Sequence, residues 1–498
     1  MTVQASTSSP SQLKAPAEAK HHAKRPPYWL VLVGLAVGLA LFVIPPPSGV
    51  NRAGWHILGL LIPIVTIWAT EAMPVGIASI LFLVIVVSLR YVKAEVAFKG
   101  FTGHLPWLMM GAFAIGAAME HCGLSKRLTY FLLRHLRGFW GLTFAALAAN
   151  LCMIAVPSSG ARSSVLAPVL RSVLGTLDRP TRSNLSRALT YNFCVAANSF
   201  TGNMFLTGGA ANLVMITLYT TLTGKTVTWG EWFVIMLGPT LICTAVALGG
   251  GWFLSRPEPE LMEKLRRSGD LARDKQFDLG PMTADEWKVL GAFILAVVLW
   301  AIGGRIHLEP GFAAVIVTGL LFLPKVGMLP AKAVGQLNWN IVLLIGAVAG
   351  VAGILDATGM VRVVSHALVA PVLTPLSHLG LFGVALGCVI VGLVAHFLLP
   401  APNNLTLAMP LLINWGIETM HYPPAVVLAF LGFLSGLGDK NAMIPYQLPP
   451  YYVFLAMEVT DVPRFTSFLM KIYPFMVIAM IISAYVAYAV ILATGYGL

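Results

Sequence analysis

The stretch VPSSGARSSVLAPV, residues 156–169, places four hydroxyls, a glycine and an arginine inside an apolar region of the chain. Hydrophobic residues make up 57% and charged residues 10% of the 498 residues, whereas a soluble domain carries about 25% charged residues. The composition therefore predicts a polytopic membrane protein. Because a polar break at membrane depth is tolerated only where protein or a water-filled cavity satisfies the backbone, this stretch is a candidate functional site.

Apolar runs recur along the chain at about the 20-residue length that crosses a bilayer. They are continuous rather than alternating, which favours an all-α fold over a barrel. We expect about eleven transmembrane helices. The predicted spans are 28–45, 54–70, 73–92, 105–121, 187–206, 231–255, 287–304, 309–327, 339–358, 424–438 and 469–495.

Residues 1–27 are rich in Ser, Pro, Ala and Lys, which predicts a disordered cytosolic tail rather than a signal peptide. The net charge of +12 resides mainly in loops, where the positive-inside rule accounts for it and no nucleic-acid partner is needed. With the tail inside, the loops at 122–139, 171–187 and 256–286 fall on the cytosolic side. We expect a multi-pass protein of the bacterial inner membrane.

The charged segment 256–286 is predicted to be a cytosolic linker between two halves, 28–255 and 287–498. Similar motifs occur in the same order in both halves, which favours an inverted repeat as in secondary transporters. The alternative is that glycine-rich membrane helices resemble one another by composition. The matched pairs are 105–124 with 339–360, 157–168 with 400–410, and 201–213 with 438–450.

Each half has a polar tip between two apolar arms. The two arms and the tip together do not make a good single membrane crossing. This pattern predicts two re-entrant helical hairpins, at about 140–176 and 379–416. Tips that meet near the midplane would form a binding site, and their backbone N–H groups, hydroxyls and amides suit an anion. The alternative is a kink without a ligand. The predicted donors are Ser158, Ser159, Gly160, Asn403 and Asn404.

A second polar element follows each hairpin. In the first half, carbonyls freed near Gly208, with Asn212 beside them, are alternative ligands for a cation such as sodium. Charges at membrane depth are costly and usually face a cavity or a partner. Arg162 follows the first tip and Lys440 precedes the break of the second half, with Asp439 as an alternative partner for Lys440.

The motifs WATEAMPVGIASIL (68–81) and GAAMEHCGLSKR (116–127) resemble those of the divalent-anion/sodium symporter family, also called solute carrier family 13, within the ion-transporter superfamily. The resemblance runs from about residue 54 to the C-terminus. It implies a homodimer in which each subunit has a scaffold domain and a transport domain, with elevator-type movement. The implied transport elements are roughly 110–228 and 345–460.

The implied function is secondary transport of a small divalent organic anion, a di- or tricarboxylate, by symport with sodium or by anion exchange. The first tip reads PSSGAR (157–162) where relatives have Ser-Asn-Thr, so a hydroxyl and an amide are missing. We therefore hypothesise that Lys440, Arg162 or both supply positive charge where relatives place sodium, so that this carrier exchanges anions or couples weakly to sodium. The resemblance also places Thr207 among the substrate-binding residues and Asn198, Gly208 and Asn212 among those for the ion or its replacement.

Other functions remain open at this point. An inorganic oxyanion carrier and a cation/proton antiporter fit the same architecture. An intramembrane enzyme is disfavoured, because the sequence has no His-Glu-x-x-His or Gly-x-Ser-x-Gly motif. No cofactor is expected, and sodium is the candidate coupling ion. The five isolated cysteines predict neither a disulfide framework nor a zinc site.

Overall fold

The computed structural model describes residues 28–135, 138–154, 156–175, 183–267, 279–324, 327–399, 403–434 and 449–498. Within these ranges the regular structure is helical throughout, which confirms the predicted all-α class. The tail predicted for 1–27 lies outside the described residues.

The helices of the first half are α1 (Tyr28–Val43), α2 (Arg52–Thr70), α3 (Val75–Ser88), α4 (Leu105–His121), α5 (Leu124–His135), α6 (Gly138–Cys152), α7 (Ser159–Gly175), α8 (Asn184–Val195), α9 (Ala210–Thr223) and α10 (Trp229–Ser255). Two short turns, Ala94–Ala97 and Lys99–Thr102, precede α4.

The linker contributes α11 (Pro259–Arg267). The second half contains α12 (Ala284–Ile302), α13 (Pro310–Phe322), α14 (Trp339–Ala357), α15 (Met360–Leu368), α16 (Ala370–Ser377), α17 (Gly380–Leu398), α18 (Asn403–Asn414), α19 (Pro424–Phe433), α20 (Pro449–Ala456) and α21 (Val462–Thr494).

Six helices of the described chain are long and apolar enough to cross a membrane, or eight spans if each of two bent pairs counts as one. Six shorter apolar helices accompany them. The predicted span 105–121 coincides with α4, whereas the predicted span 187–206 is broken, because α8 ends at Val195 and a π turn follows it.

The two halves pack on each other through reciprocal contacts. The helix order from α4 to α10 parallels that from α14 to α21, with α15 and α16 together matching α5. Two halves related by a two-fold axis would make reciprocal contacts of this kind. The opposite crossing directions of the halves and the domain boundaries stay predictions. The reciprocal pairs are α3 with α14 and α13 with α4, then α7 with α20 and α18 with α9; α10 and α21 pack on each other.

The loops predicted to share the cytosolic side contact one another. Arg127 Nε donates to Glu286 Oε1 at 2.7 Å, and its Nη1 donates to the Gly280 carbonyl at 2.6 Å. Glu258 accepts the backbone N–H groups of Asn184 at 2.7 Å and Leu185 at 3.0 Å. These bonds place the three loops at one end of the molecule. The assignment of that end to the cytosol stays a prediction.

Helix α14 approaches the turn before α4 at backbone distance. A Cβ added at Gly350 would lie 1.9 Å from the Ala97 carbonyl oxygen, far inside contact distance. At Gly353, one turn away, an added Cβ would lie 3.8 Å from the nearest atom, the Val96 carbonyl oxygen. Small residues of this kind allow membrane helices to approach closely.

We expect Gly350→Ala to lower the stability of the protein by about 1–3 kcal/mol, because the backbone has to move apart to admit the methyl group. Gly353→Ala is the matched control and should leave stability unchanged or slightly raised, since Ala favours helix. Thermal unfolding of the purified variants measures both effects. Equal melting temperatures for the two variants would contradict the close approach.

Candidate functional site

The first tip is the N-terminal turn of α7. Ser158 Oγ accepts the backbone N–H of Ala161 at 3.2 Å, and α7 begins at Ser159. Ser158, Ser159 and Gly160 are all half-buried. The first N–H groups of a helix have no acceptor within it, and the helix dipole makes them electropositive. The sequence-predicted donors of this tip therefore lie at one helix start, as the anion hypothesis requires.

The break of the first half begins where α8 gives way to a π turn, Ala196–Phe200. A short helical turn and the 3₁₀ turn Leu206–Gly208 follow, and Gly209 is extended before α9 starts. In the second half a π turn occupies the corresponding place, Val427–Phe433, directly before the segment 435–448 that lies outside the described residues. π turns are rare overall and occur often at functional sites. A further π turn, Trp415–Thr419, follows α18, so a π turn alone does not identify a break.

Arg162 joins the first tip to this break. Its side chain is fully buried, and its guanidinium donates to three backbone carbonyls. Nη2 donates to the Gly208 carbonyl at 2.9 Å and to the Ala197 carbonyl at 2.8 Å, Nε donates to Ala197 at 3.1 Å, and Nη1 donates to the Val156 carbonyl. Arginine stays charged in proteins. A fixed cation therefore lies beneath the first tip, bonded to carbonyls that the break has freed.

Asn212 donates to two further backbone carbonyls of the break. Its buried amide Nδ2 donates to the Gly202 carbonyl at 2.5 Å and to the Phe205 carbonyl at 2.9 Å. Together with Arg162, this residue supplies N–H donors where the cation alternative requires open carbonyl oxygens. The sequence places Asn212 beside the break, but its use as a donor follows only from the folded geometry.

Thr207 is fully buried beneath the start of α10, and its hydroxyl accepts the indole N–H of Trp229 at 3.4 Å. Trp232 donates to the Asn203 carbonyl at 3.0 Å in the same way. Neither tryptophan was predicted from the sequence as part of the site. The sequence signal for these two tryptophans is their spacing of three residues, which places them on one face of α10. Asn198 is buried within the π turn.

The second tip begins α18. Asn404 is buried, and its Oδ1 accepts the N–H of Leu405 at 2.8 Å. Its Nδ2 lies 3.2 Å from Nδ1 of His396 on α17, so a side-chain contact joins the two arms of this hairpin. The side chain of Asn403 lies outside the described part of the chain, as do Asp439 and Lys440.

The helices that start at the two tips take part in the reciprocal packing of the halves. Helix α7, which starts at the first tip, packs on α20, which follows the second break. Helix α18, which starts at the second tip, packs on α9, which follows the first break. Each helix that starts at a tip therefore packs on a helix of the opposite half in addition to helices of its own half. The roles of the individual tip residues in binding stay predictions.

The family model of the sodium:sulfate symporter transmembrane region matches residues 26–493, nearly the whole chain. The chain belongs to this symporter family. The resemblance noted from the sequence motifs is thereby confirmed, and the protein is an integral membrane protein and a transporter rather than an enzyme.

Two relatives of this symporter-family member are similar to it over most of its length. A spinach protein named "Dicarboxylate transporter 1, chloroplastic" is 24% identical over 450 residues, which cover 88% of this chain and 77% of the relative. An Escherichia coli protein named "L-tartrate/succinate antiporter" is 24% identical over 457 residues, which cover 86% of this chain and 91% of the relative.

We expect Arg162→Gln to destabilise this family member strongly, because an unpaired buried carbonyl costs about 1–3 kcal/mol and the substitution releases several. Arg162→Lys should recover only part of the loss, since an ammonium lacks the fork that reaches separate carbonyls. Arg171→Gln is the control, because Arg171 is exposed on the same helix. Melting temperatures that do not separate Arg162→Gln from Arg171→Gln would contradict this contact set.

Proposed function

We propose that the protein exchanges small dicarboxylate anions across the membrane, with substrate bound between the two tips. The observation that carries this proposal is the buried guanidinium of Arg162 beneath the first tip. The names of the two relatives, a dicarboxylate transporter and a tartrate/succinate antiporter, support the same substrate class. A dianion between two helix N-termini is favoured by both dipoles.

The electrostatics of the break support exchange without a coupling ion. A sodium ion coordinated by freed carbonyls would compete with Arg162 and Asn212, which already donate to the carbonyls of Gly208 and Phe205. A tethered guanidinium supplies positive charge without binding or release in each cycle. In an exchanger, the carrier crosses the membrane in both directions with substrate bound. No cotransported cation is therefore needed in this half.

The proposed contacts are divided between the tips. Ser158, Ser159 and the Gly160 backbone bind one carboxylate, and Asn403 and Asn404 bind the other. Thr207 and Asn198 line the break beneath the substrate, and Lys440 gives the second half a charge equivalent to that of Arg162. The contact of Asn404 Nδ2 with His396 Nδ1 at 3.2 Å supports this role, because it fixes the orientation of the side chain.

The wider assembly is part of the proposal. We place the protein as a homodimer in the bacterial inner membrane with its N-terminus in the cytosol. The transport elements 110–228 and 345–460 carry the substrate by an elevator-type movement, and the hairpins 140–176 and 379–416 enter the membrane partway. These features rest on the family resemblance and on the reciprocal packing of the halves.

Reconstituted liposomes test the exchange. Liposomes loaded with unlabelled succinate should take up external labelled succinate with and without a sodium gradient, and empty liposomes should take up little. Lys440→Ala should lower exchange, because the second half loses its fixed charge. Uptake that depends strongly on sodium, with Lys440→Ala nearly silent, would overturn the exchange proposal in favour of symport. If the liposomes take up labelled sulfate in preference to succinate, the transported anion is sulfate rather than a dicarboxylate.

Substitutions at the tips test the site itself. Ser159→Ala and Asn404→Ala should each raise the KM for succinate about tenfold, the effect of one lost hydrogen bond to a charged group. Ser164→Ala is the control, because Ser164 is exposed on α7 and its hydroxyl donates to the Gly160 carbonyl at 3.0 Å. An unchanged KM in both tip variants would show that the substrate does not bind at the tips.

A further inference from the structure

Asn404 makes a contact at each end of its side-chain amide. Its Oδ1 accepts the backbone N–H of Leu405 at 2.8 Å, and its Nδ2 lies 3.2 Å from Nδ1 of His396 on α17. Both residues are buried, with 4% of Asn404 and 7% of His396 exposed. The Leu405 N–H belongs to the first turn of α18, where N–H groups have no acceptor within the helix. The Asn404 side chain therefore covers one donor of the second tip.

This arrangement also fixes the position of the proton on His396. An amide NH₂ group only donates hydrogen bonds, so Nδ1 of His396 is the acceptor in its contact with Asn404. In a neutral imidazole one nitrogen accepts and the other carries the proton, which places the proton of His396 on Nε2. The opposite orientation of the Asn404 amide would set its NH₂ group against the Leu405 N–H, a donor facing a donor. The bond to Leu405 and the tautomer of His396 are therefore linked.

Protonation of His396 reverses this contact. Both nitrogens of an imidazolium are donors, so a protonated Nδ1 cannot face the NH₂ group of Asn404. If the amide turns over, Oδ1 becomes the acceptor of a charge-assisted hydrogen bond from Nδ1, which is stronger than the neutral bond that it replaces. The same movement takes Oδ1 away from Leu405 and turns Nδ2 to that side. Two N–H donors are then left at the start of α18, in place of one covered donor.

The surroundings of His396 leave the imidazole as the group that titrates near neutral pH. Helix α17 packs on α16, α18, α19 and α21. Within the described residues α16, α18 and α19 contain no titratable side chain, whereas α21 contributes Tyr473, which lines a small cavity together with His396 and Cys388. Asp439 and Lys440 of the second break lie outside the described residues. Imidazole changes its protonation state between about pH 5 and 8, whereas phenols and thiols ordinarily titrate at higher pH.

We propose that His396 and Asn404 form a proton-controlled switch at the second tip, in which protonation of His396 uncovers the tip for a dicarboxylate. The switch rests on the proposed function, which assigns one carboxylate of the substrate to this tip. Neutral His396 keeps the Leu405 N–H covered. Protonated His396 turns the Asn404 amide over, and the two released donors bind the carboxylate.

The charge of His396 acts in the same direction as the hydrogen bonds. An imidazolium next to the tip attracts a dianion, and the dianion in turn favours the protonated form of the imidazole. Binding of the dianion is therefore accompanied by uptake of one proton from solution on Nδ1. The affinity of the tip should rise as the pH falls through the range in which His396 is protonated.

Equilibrium binding of labelled fumarate to the purified full-length protein in phosphatidylcholine nanodiscs tests the switch, because fumarate itself stays a dianion over the pH range used. The affinity should be at least about tenfold higher at about pH 6 than at about pH 8, the effect of one added hydrogen bond to a charged group. His396→Asn should remove this difference, because an amide does not titrate. His378→Asn is the control and should keep the difference, since His378 is exposed.

Two results of the binding experiment overturn the switch. One is an equal affinity of the parent protein at the two pH values, which decides the question whether or not a variant folds. The other is a pH difference that persists in His396→Asn. If Asn404→Ala binds fumarate as the parent does at both pH values, the substrate does not bind at this tip, and the proposed function fails together with the switch. Weaker binding in Asn404→Ala with a pH-independent parent overturns the switch alone.

Nitrogen NMR of protein with isotope-labelled histidine tests the tautomer without any substrate, so its result does not depend on the proposed function. The signals of His396 are those that disappear in His396→Asn. At about pH 8 they should show a proton on Nε2 and none on Nδ1, and at about pH 6 a proton on both nitrogens. A proton on Nδ1 alone at the higher pH would contradict the contact with Asn404 and overturn the proposal.

Discussion

The hydrogen bonds of the Arg162 guanidinium are the interaction on which the first half of the site depends. They connect the tip at Val156 to the π turn at Ala197 and to the 3₁₀ turn at Gly208. In a membrane a broken helix is tolerated only if other groups bind its free carbonyls. One residue type with five donors in a rigid fork meets this need for three carbonyls at once. The break and the tip are therefore a single unit rather than two irregular segments.

The packing between the two halves also depends on groups that are held in fixed positions. Helix N-termini at the tips are electropositive, and they need fixed positions to act as a binding site. These positions come from both halves, since Arg162 holds the first tip to the break of its own half while α7 packs on α20 and α18 packs on α9. The capping boxes at Thr228 and Thr283 complete the frame by fixing where α10 and α12 begin.

Much of the architecture was predictable because lipid leaves few alternatives to a helix. The span at 105–121 coincides with α4, and the second hairpin, predicted at 379–416, contains the helices Gly380–Leu398 and Asn403–Asn414. The break after Val195 was missed as a span boundary, since an apolar run continues through it and hydropathy does not register a π turn. The partners of Arg162 and the indole of Trp229 lie on other helices, so their contacts depend on packing that periodicity does not encode.

Reciprocal packing also bears on how the protein is made. Helix α7 leaves the ribosome long before α20 is synthesised, so the first hairpin has to wait in the bilayer or in the insertion machinery without its final neighbour. Contacts of such large sequence separation slow folding and expose incomplete structure. Neither half can reach its final packing alone, which gives the charged linker a role in biogenesis: it keeps two interdependent membrane halves in one chain until each supplies the other's missing helix.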